Sequence, residues 1–481
     1  MLRRGFSGLG SGLAIRAMGA LALAYAATAG GGASAETLES ALVQAYQNNP
    51  TLNSQRAALR ATDEGVPQAL AGYRPRVTIT ATGGEQVLSS TTVTNPTRAA
   101  GTPPTYFTQN GNNAPYGATA TISQTLFNGF QTANRTRQAE ASVLAGRETL
   151  RVTEQTVLLN AVTAYMNLLR DTAILDLQRR NVEVLQEQLR QTRDRFNVGE
   201  VTRTDVAQSE SSLAAGRSQV LTAQSNFATS QATYRQVIGN APGRLTPGTP
   251  VDRFSPQNLN SAFGLASTTH PQVTTAQYNI DVAQQAVKVA EGSLYPTLSV
   301  QGSYAQNFMS QSSLNTLQTT ATTVLGTLSV PIYQGGSEYS LIRQAKETLG
   351  QRRMDFDTAR DQVRQGVAQS WGQLDAAKAN IEATTAQVQS AEIALNGIRE
   401  EARVGQRTTF DVLTAQQTLV NARVALVTAQ RDRVVASYAL LSAVGRLGPT
   451  VLGLQVPVYR PGVHYEQVRD SWAGVRTPDG R

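Results

Sequence analysis

The sequence predicts a mixed α and β membrane protein whose chain contains two copies of one module. Three observations support this fold class: an internal repeat of about 200 residues, a pair of alternating strands in each copy, and long helices with a heptad pattern. A repeat of this length exceeds a solenoid unit, so it indicates a duplicated supersecondary module.

The internal two-fold repeat consists of matching residues at a constant distance along the chain. Pro50 and Pro75 return as Pro271 and Pro296, in both cases 221 residues later. Beyond them the distance is 206 residues, and the matches are Phe127-Asn128-Gly129 with Tyr333-Gln334-Gly335, Arg137-Gln138-Ala139 with Arg343-Gln344-Ala345, and Val198-Gly199 with Val404-Gly405. The difference of 15 residues arises between positions 76 and 126, where the first copy has a longer loop.

A cleaved signal peptide is predicted at the N-terminus. Arg3 and Arg4 precede an apolar stretch from Ala17 to Ala29, and Ala33-Ser34-Ala35 has the small residues of a cleavage site. The apolar stretch is too short to span about 30 Å of hydrocarbon, which disfavours a membrane anchor. The predicted organisation is a signal peptide (1–35), a first repeat (36–239), a linker (240–258), a second repeat (259–445) and a C-terminal tail (446–481).

Both copies are predicted to contain a helix, a pair of strands, a very long helix, a break and a last helix. In the first copy these are helix 38–72 with an interruption at 48–50, strands 75–88 and 116–126, and helices 130–198 and 204–238. In the second copy they are helix 259–293, strands 296–308 and 323–332, and helices 336–404 and 410–444. Polar residues between the strands predict exposed loops at 89–115 and 309–322, and the far C-terminus is predicted to be flexible.

The strands alternate between apolar residues and small polar residues. The apolar positions, which keep the same parity in both copies, are Val77, Ile79, Ala81, Ala118, Ala120, Ile122, Leu298, Val300, Gly302, Tyr304, Leu328 and Val330. This alternation is typical of a barrel with lipid outside and water inside, although a half-buried sheet of a soluble domain would also have it. Closed barrels start at about eight strands, so four strands in a membrane would require several chains.

The long helices carry a heptad pattern that predicts coiled-coil packing. The heptad positions are Leu175, Val182, Leu189 and Phe196 in the first copy, and Ile381, Val388, Leu395 and Ala402 in the second. A helix of 69 residues would be roughly 100 Å long and is too polar for a membrane. We therefore expect it to project into an aqueous compartment.

The long helices end at two related breaks, residues 198–206 and 404–412. Each break has a glycine, a threonine and an aspartate in the same order: Gly199, Thr202 and Asp205 in the first, and Gly405, Thr408 and Asp411 in the second. The glycine suits the left-handed conformation that ends a helix, and the Thr-x-x-Asp spacing suits a capping box that starts the next one. This structural role leaves open that the helix tips also form a constriction.

Composition argues against an enzyme and against a nucleic-acid-binding protein. The chain has no cysteine, and no residue spacing indicates a catalytic, metal or cofactor site. Of its two histidines, His270 precedes a proline where the first copy has Asn49, so we interpret it as a turn residue, whereas His464 has no partner that spacing identifies. The formal charge of +8 falls to +5 without the signal peptide, and the arginines are scattered among acids.

The duplicated layout, the two breaks and the turns at Phe127-Asn128-Gly129 and Tyr333-Gln334-Gly335-Gly336 resemble the TolC family of outer-membrane channels, over residues 36 to 450. The resemblance implies a homotrimer in outer-membrane lipid, with a 12-stranded β-barrel (four strands per chain) continuous with a long periplasmic α-helical coiled-coil barrel. It also implies a passive exit duct of a tripartite efflux pump or a type I secretion system. A periplasmic adaptor protein and an inner-membrane transporter would open it at the helix tips.

The resemblance also implies the residues of a periplasmic gate. The Thr-Asp pair of the family's entrance matches Thr204 and Asp205 in the first break. In the family, an arginine in the second break hydrogen-bonds to that Thr-Asp pair, and it matches Arg407 here. The family's aspartate that forms a ring at the entrance matches Asp411.

Two positions depart from that family pattern. Thr414 stands where the best-known members have a second aspartate, and Ala402 stands where they have a tyrosine that helps to hold the gate closed. We therefore expect a single acidic ring from Asp411 and a gate held mainly by Arg407. Three carboxylates around one axis would repel each other and attract cations.

Two other functions stay open on the residues alone. A periplasmic coiled-coil adaptor would have the signal peptide and the heptads, but it would not explain strand pairs in both copies. A structural surface filament would need continuous heptads without the strand hairpins. The transported substrate could be a drug, a toxin, a polypeptide or a polysaccharide, because a wide water-filled duct makes few specific contacts.

Overall fold

The computed structural model describes residues 36–97, 99–311 and 314–478. The predicted signal peptide therefore lies outside the described residues. The chain divides into two compact units. The helical unit contains the described part of 1–49 with 160–251 and 377–435, and the strand unit contains 50–159, 252–376 and the described part of 436–481.

The described residues form eleven α-helices and six β-strands. The helices are α1 (Leu38–Asn48), α2 (Pro50–Asp63), α3 (Gly65–Leu70), α4 (Gln131–Asn197), α5 (Arg203–Ile238), α6 (Leu259–Thr269), α7 (Pro271–Glu291), α8 (Ser337–Arg403), α9 (Thr409–Ala443), α10 (Pro449–Leu452) and α11 (Pro461–Val468). The strands are β1 (Arg76–Gly83), β2 (Gln86–Val93), β3 (Tyr106–Asn113), β4 (Tyr116–Asn128), β5 (Thr297–Gln311) and β6 (Leu314–Ser329). The two long helices, α4 and α8, have 67 residues each.

The turn between α6 and α7 is built on a histidine followed by a proline. His270 ends α6, and Pro271 is the first residue of α7, where its missing N–H costs nothing. The Nδ1 atom of His270 accepts a hydrogen bond from the Gln272 backbone N–H at 3.2 Å. Burial lowers the pKa of His270 to about 4, so the imidazole is neutral and can accept this bond at neutral pH. The predicted turn role of His270 is confirmed.

The six strands form one antiparallel sheet with four strand paths. β1 pairs with β4, β2 with β3, β4 with β5, and β5 with β6. Only residues 84–85 separate β1 from β2, and only residues 114–115 separate β3 from β4. The Gly84 N–H donates to the Pro115 carbonyl at 3.0 Å, so pairing continues across this interruption. The path β1–β2 therefore lies beside β3–β4, followed by β5 and β6.

The first predicted loop is wrong, because residues 89–115 contain most of β2 and all of β3. Ser89 pairs across the strands with Asn110 at 2.5 Å between side-chain oxygens, and Thr91 with Thr108 at 2.8 Å. Threonine is β-branched and fits a strand, and its hydroxyl can hydrogen-bond to a residue on the neighbouring strand. The predicted loop at 309–322 likewise falls within β5 and β6 over its described residues.

The strand register places the predicted apolar residues on one face. Val77 pairs with Ile122, Ile122 with Gly302, and Gly302 with Val324, so the four lie in one row. The next row, Thr78, Thr121, Ser303 and Thr323, lies on the opposite face and is polar throughout. Val77 is 66% exposed and Val324 is 77% exposed. The predicted parity of the strands is confirmed, and the apolar face is uncovered in the single chain.

Aromatic residues lie at both ends of the apolar face. At the end farther from α4, the rings of Tyr116 and Phe308 stack with their centroids 4.8 Å apart. At the end that leads into α4, the ring of Phe127 meets that of Phe130 edge to face at 5.2 Å. The apolar face is therefore bounded by two aromatic pairs.

The heptad residues of the long helices pack as predicted within the helical unit. One cluster of buried side chains joins the end of α4 to α5 and α9: Leu185, Leu189, Leu213 and Leu413. A second joins α8 to α9: Val388, Ala391, Leu395, Leu419 and Ala422. Phe196, the last predicted heptad position of α4, is 41% exposed, so the buried stripe ends before the break.

The C-terminal tail docks on the strand unit through α11 and as far as Trp472, and the flexibility of the far C-terminus stays a prediction. α11 packs against α2, and the His464 Nδ1 lies 3.0 Å from the Asp63 Oδ2. Asp63 is fully buried and His464 nearly so. Burial raises the pKa of Asp63, and the contact with His464 opposes that rise. Sequence spacing could not identify this pair because its members are 401 residues apart.

We predict that His464→Ala undocks the tail. The Asp63 carboxylate would lose its imidazole partner, while its Oδ1 atom already makes no hydrogen bond. Leaving a buried polar group without its partner costs about 1–3 kcal/mol, and more when the group is charged. Limited proteolysis should then cut between α10 and α11 faster than in the parent protein.

The matched control replaces both members of the pair by leucine. Since exchanging a whole buried pair for apolar residues is often neutral, the Asp63→Leu, His464→Leu double variant should keep the tail protected. Equal proteolysis of His464→Ala and the parent protein would contradict the role of this pair.

Candidate functional site

The candidate site consists of the two helix breaks, residues 198–206 and 404–412, which both belong to the helical unit. α4 ends at Asn197 and α8 at Arg403. Gly199 follows α4 with φ at 83°, and Gly405 follows α8 with φ at 85°. No atom lies within 4 Å of where a Cβ would stand at either glycine, so the left-handed backbone, not space, favours glycine here.

Backbone hydrogen bonds close the end of each long helix. The Gly199 N–H donates to the Phe196 carbonyl at 2.9 Å, and the next N–H, of Glu200, reaches back to Arg195 at 2.9 Å. In the second break the Gly405 N–H donates to Ala402 at 3.2 Å, and the same backward bond joins Gln406 to Glu401 at 2.9 Å. Helix carbonyls that would otherwise be unpaired are satisfied in this way.

A capping box starts the helix after the first break. The Thr202 hydroxyl accepts the Asp205 N–H at 3.3 Å, and the Asp205 carboxylate accepts the Thr202 N–H at 2.9 Å. The Thr202 hydroxyl also donates to that carboxylate at 2.7 Å. These hydrogen bonds from Thr202 lower the pKa of Asp205. Thr204, which stands between them in sequence, is exposed in the first turn of α5.

The second break repeats this geometry with Thr408 and Asp411. The Asp411 carboxylate accepts the Thr408 N–H at 3.0 Å and its hydroxyl at 2.8 Å, and the Thr408 hydroxyl accepts the Asp411 N–H at 3.2 Å. The backbone bond and then the hydroxyl bond lower the pKa of Asp411. A carboxylate whose pKa is lowered on folding stabilises the fold above its unfolded pKa, and this contribution is lost as the pH falls through the folded pKa. Both caps are therefore intact at neutral pH.

Arg407 is held against the last turn of α8, which precedes its break. Its Nε donates to the Glu401 carboxylate at 2.9 Å, and this bond, with the nearby charge of Asp411, raises the pKa of Arg407. The structure thus brings Arg407 and Asp411 together in one break and Thr204 and Asp205 together in the other. Thr204 and Arg407 are exposed, whereas Asp205 and Asp411 are half-buried.

Three apolar side chains of the two breaks are exposed, and the sequence pattern did not single them out. Val198 is 74% exposed, Val404 67% and Phe410 55%. The sequence does contain a signal, because Val-Gly stands at the same place in both copies. The exposed position before a helix-ending glycine could equally hold a polar residue, so the repeated valine was informative. Thr414 donates to the Phe410 carbonyl at 2.9 Å and adds no charge to this break.

Among the described residues, no group of three or more His, Cys, Asp or Glu side chains is arranged to hold a metal ion. No helix in the described part of the chain is both long enough and apolar enough to cross a membrane.

An exposed apolar sheet face, two long coiled-coil helices and two capped breaks in one duplicated chain define the class of outer-membrane channel proteins. The chain belongs to the outer membrane efflux protein family, whose model matches residues 41–240 and 263–446. The two matched segments fall one in each copy of the repeat. This membership supports the exit-duct reading over the periplasmic adaptor, and the family is one of passive channels.

Individual relatives agree with this assignment. The chain is 41% identical over 461 residues to the outer membrane efflux protein BepC of Brucella suis biovar 1, with 94% of each chain covered. It is 28% identical to the outer membrane protein TolC of Escherichia coli K12, over 86% of this chain and 83% of that protein. The crystal structure of the Campylobacter jejuni CmeC outer membrane channel superimposes with a TM-score of 0.72 and 16% identity, over 90% of this chain and 89% of that one.

Proposed function

We propose that three copies of the chain form one outer-membrane exit duct of an efflux pump or a type I secretion system. The observation that carries this proposal is the pairing of the sheet. Among the described residues, β1 has only β4 as a partner strand and β6 has only β5, so both edges of the sheet are open. Four strand paths cannot close on themselves, whereas three chains supply twelve such paths, and pairing β1 with a neighbour's β6 leaves no open edge.

The dimensions of the sheet support its placement in a membrane. From Tyr116 to Phe127, the aromatic pairs are about 36 Å apart along β4 at about 3.3 Å per residue. Tilting the strand by about 40° reduces this to about 28 Å, close to the apolar band of about 25 Å in outer-membrane barrels. The apolar face then meets lipid, and the threonine-rich face lines a water-filled lumen.

The helix tips are proposed as the entrance and as the place where partners act. The chain is a passive conduit, so the energy comes from an inner-membrane transporter acting with a periplasmic adaptor protein. The exposed side chains of Val198, Val404 and Phe410 offer such an adaptor an apolar surface at both breaks.

The proposed gate consists of Thr204, Asp205, Arg407 and Asp411. In the single chain, Arg407 bonds to Glu401 in the last turn of α8, and its remaining guanidinium donors can reach a neighbouring chain. Contacts from Arg407 to Thr204 and Asp205 of that neighbour would hold the entrance closed. Asp411, repeated three times around the axis, would form the single acidic ring.

Crosslinking at the strand edges tests the trimer. The chain has no cysteine, so introduced cysteines react without background. Each test variant carries Thr78→Cys on β1 together with one cysteine on β6, for example Thr323→Cys. If β1 pairs with β6 of the neighbouring chain, one such variant should give covalent trimers in outer membranes. The control pair is Thr78→Cys with Ser303→Cys, which shares the row but puts the second cysteine on the interior strand β5. It should give no crosslink between chains.

Membrane extraction and bilayer recording test the channel itself. Detergent should extract the protein from outer membranes as a trimer that dissociates on heating and forms pores in planar bilayers. Recovery of the protein as a soluble periplasmic species would overturn the proposed function.

A further inference from the structure

The docked tail carries an exposed tryptophan, Trp472, that an arginine of the strand unit holds in place. The guanidinium of Arg74 lies over the ring of Trp472 at 4.7 Å, and its Nη1 donates to the Ser471 carbonyl at 2.5 Å. Trp472 is nevertheless 72% exposed. The contact therefore positions the indole ring without covering it.

Two further cation–π contacts fasten the tail before it reaches Trp472. Arg56 lies over the ring of Tyr459 at 5.3 Å, and Arg147 lies over that of Tyr465 at 5.2 Å. Together with the buried Asp63–His464 pair, these contacts fix the tail from α10 to Trp472. Tryptophan is enriched at interfaces where one part of the ring is apolar and the other wet, so an exposed ring on a segment fixed in this way is suited to contact another surface.

The register of the sheet gives the level of Trp472 relative to the apolar face. Arg76 begins β1 opposite Ser123, so Arg74 lies two residues nearer the helices. The Gln124 Nε2 donates to the carbonyl of Tyr73, the residue before Arg74, at 2.9 Å. Arg74 and the tryptophan on it therefore lie at the helix-side end of the apolar face.

The residues at this level have the chemistry of a membrane–water interface. Tyr73 is 53% exposed, Tyr295, two residues before β5, is 51% exposed, and Phe130 is 62% exposed. Residues 74–76 and 469–476 together contain four arginines and one aspartate, so the local charge is positive. Tryptophan and tyrosine favour the head-group region of bilayers, and arginines attract lipid phosphates.

We propose that Trp472, positioned by Arg74, is an interfacial anchor that binds the phospholipid surface on the helix side of the membrane. The proposal rests on the proposed function, in which the sheet spans that membrane. The C-terminal tail would then attach the chain to the bilayer at a point outside the barrel wall. Such an anchor needs no lipid attached to the chain.

Tryptophan fluorescence can test this directly, because the chain has only two tryptophans. In the Trp371→Phe variant, Trp472 is the only emitter. In proteoliposomes of phosphatidylcholine and phosphatidylglycerol, we expect lipids brominated near the head of the acyl chain to quench this emission strongly. Aqueous iodide should quench it weakly. The Trp472→Phe variant, which leaves Trp371 of α8 as the emitter, is the matched control and should not respond to brominated lipid.

Two results would overturn the proposal while the channel remained intact. Strong quenching by iodide alone would place Trp472 in water, and protection from both quenchers would place it against another protein chain. Pore formation by the same proteoliposomes shows whether the barrel has inserted. Active pores with an unquenched Trp472 refute the anchor only, whereas a protein that does not form pores refutes the proposed function.

The role of Arg74 as a positioning residue has its own test. Arg74→Gln removes the charge over the Trp472 ring, so lipid quenching of Trp472 should fall and iodide quenching should rise, with pore conductance unchanged. Arg364→Gln is the matched control, because Arg364 makes a similar contact with Phe263 at 5.2 Å on elements outside the tail. Unchanged lipid quenching in Arg74→Gln would contradict this positioning.

Discussion

Arg407→Ala is expected to open the closed channel, with a rise in single-channel conductance in planar bilayers and in antibiotic uptake by cells. Each of the three proposed chains would lose the cation that bonds to Glu401 at 2.9 Å and lies near Asp411. Without that charge, the three Asp411 carboxylates repel each other more strongly, and the proposed bonds to Thr204 and Asp205 of the neighbouring chain are absent. Both effects favour a wider entrance.

Arg403→Ala is the matched control for this variant. Arg403 bonds to Glu400 at 2.8 Å in the last turn of α8. Its removal therefore deletes an exposed arginine–glutamate pair close to the pair between Arg407 and Glu401. Exposed pairs contribute little to stability, and the conductance should stay at the level of the parent channel. Glu401→Gln tests the ion pair with Glu401 separately from the positive charge of Arg407. It removes the negative partner of Arg407 but leaves the charge that lies near Asp411. The gate assignment would be wrong if Arg407→Ala and Arg403→Ala had the same conductance.

Asp411→Asn is expected to remove the cation selectivity and the block by divalent cations that the proposed acidic ring would give the channel. The Thr408 cap lowers the pKa of Asp411, so at neutral pH the proposed ring carries three negative charges. Divalent ions such as Ca²⁺ bind carboxylate oxygens, and a ring of such oxygens raises the local concentration of cations. The amide oxygen of asparagine can still accept the Thr408 hydrogen bonds, so α9 keeps its cap while the charge is removed.

Reversal potentials in asymmetric salt and the conductance at increasing Ca²⁺ measure this effect. Glu400→Gln is the control, because it neutralises another exposed carboxylate near the second break without touching the cap. Its selectivity should match that of the parent channel. Persistence of both selectivity and divalent block in Asp411→Asn would show that the acidic ring lies elsewhere.

The strands illustrate which part of the fold the sequence could predict. Alternation with period two assigned each apolar residue to a face, and the register of Val77, Ile122, Gly302 and Val324 agrees with it. The same reasoning misread residues 89–115, because β2 and β3 carry polar side chains on both faces and so have no apolar alternation to detect. What identifies β2 and β3 as strands is the set of hydrogen bonds between hydroxyl and amide side chains across the two. These pairs can be recognised only when the partner strand is known.

At the two helix breaks, too, the sequence predicted one part of the geometry and the structure supplied the rest. The spacing of Thr202 with Asp205, and of Thr408 with Asp411, predicted both capping boxes, because such caps depend on residues three apart. The bond from Arg407 to Glu401 follows from the fold of the break, in which the chain reverses after Gly405. The gate role of these residues stays a proposal until the trimer is tested.

The sequence by itself determined the duplication, the helix and strand periods, the breaks and the family, because each depends on residues near one another in the chain or on their order. Only the tertiary structure decided the strand pairing, the open edges of the sheet and the place of the tail. Asp63 and His464 are 401 residues apart, and Arg74 and Trp472 almost as far. Such contacts leave no periodic signal, because they depend on how distant elements pack and not on the local preference of any residue.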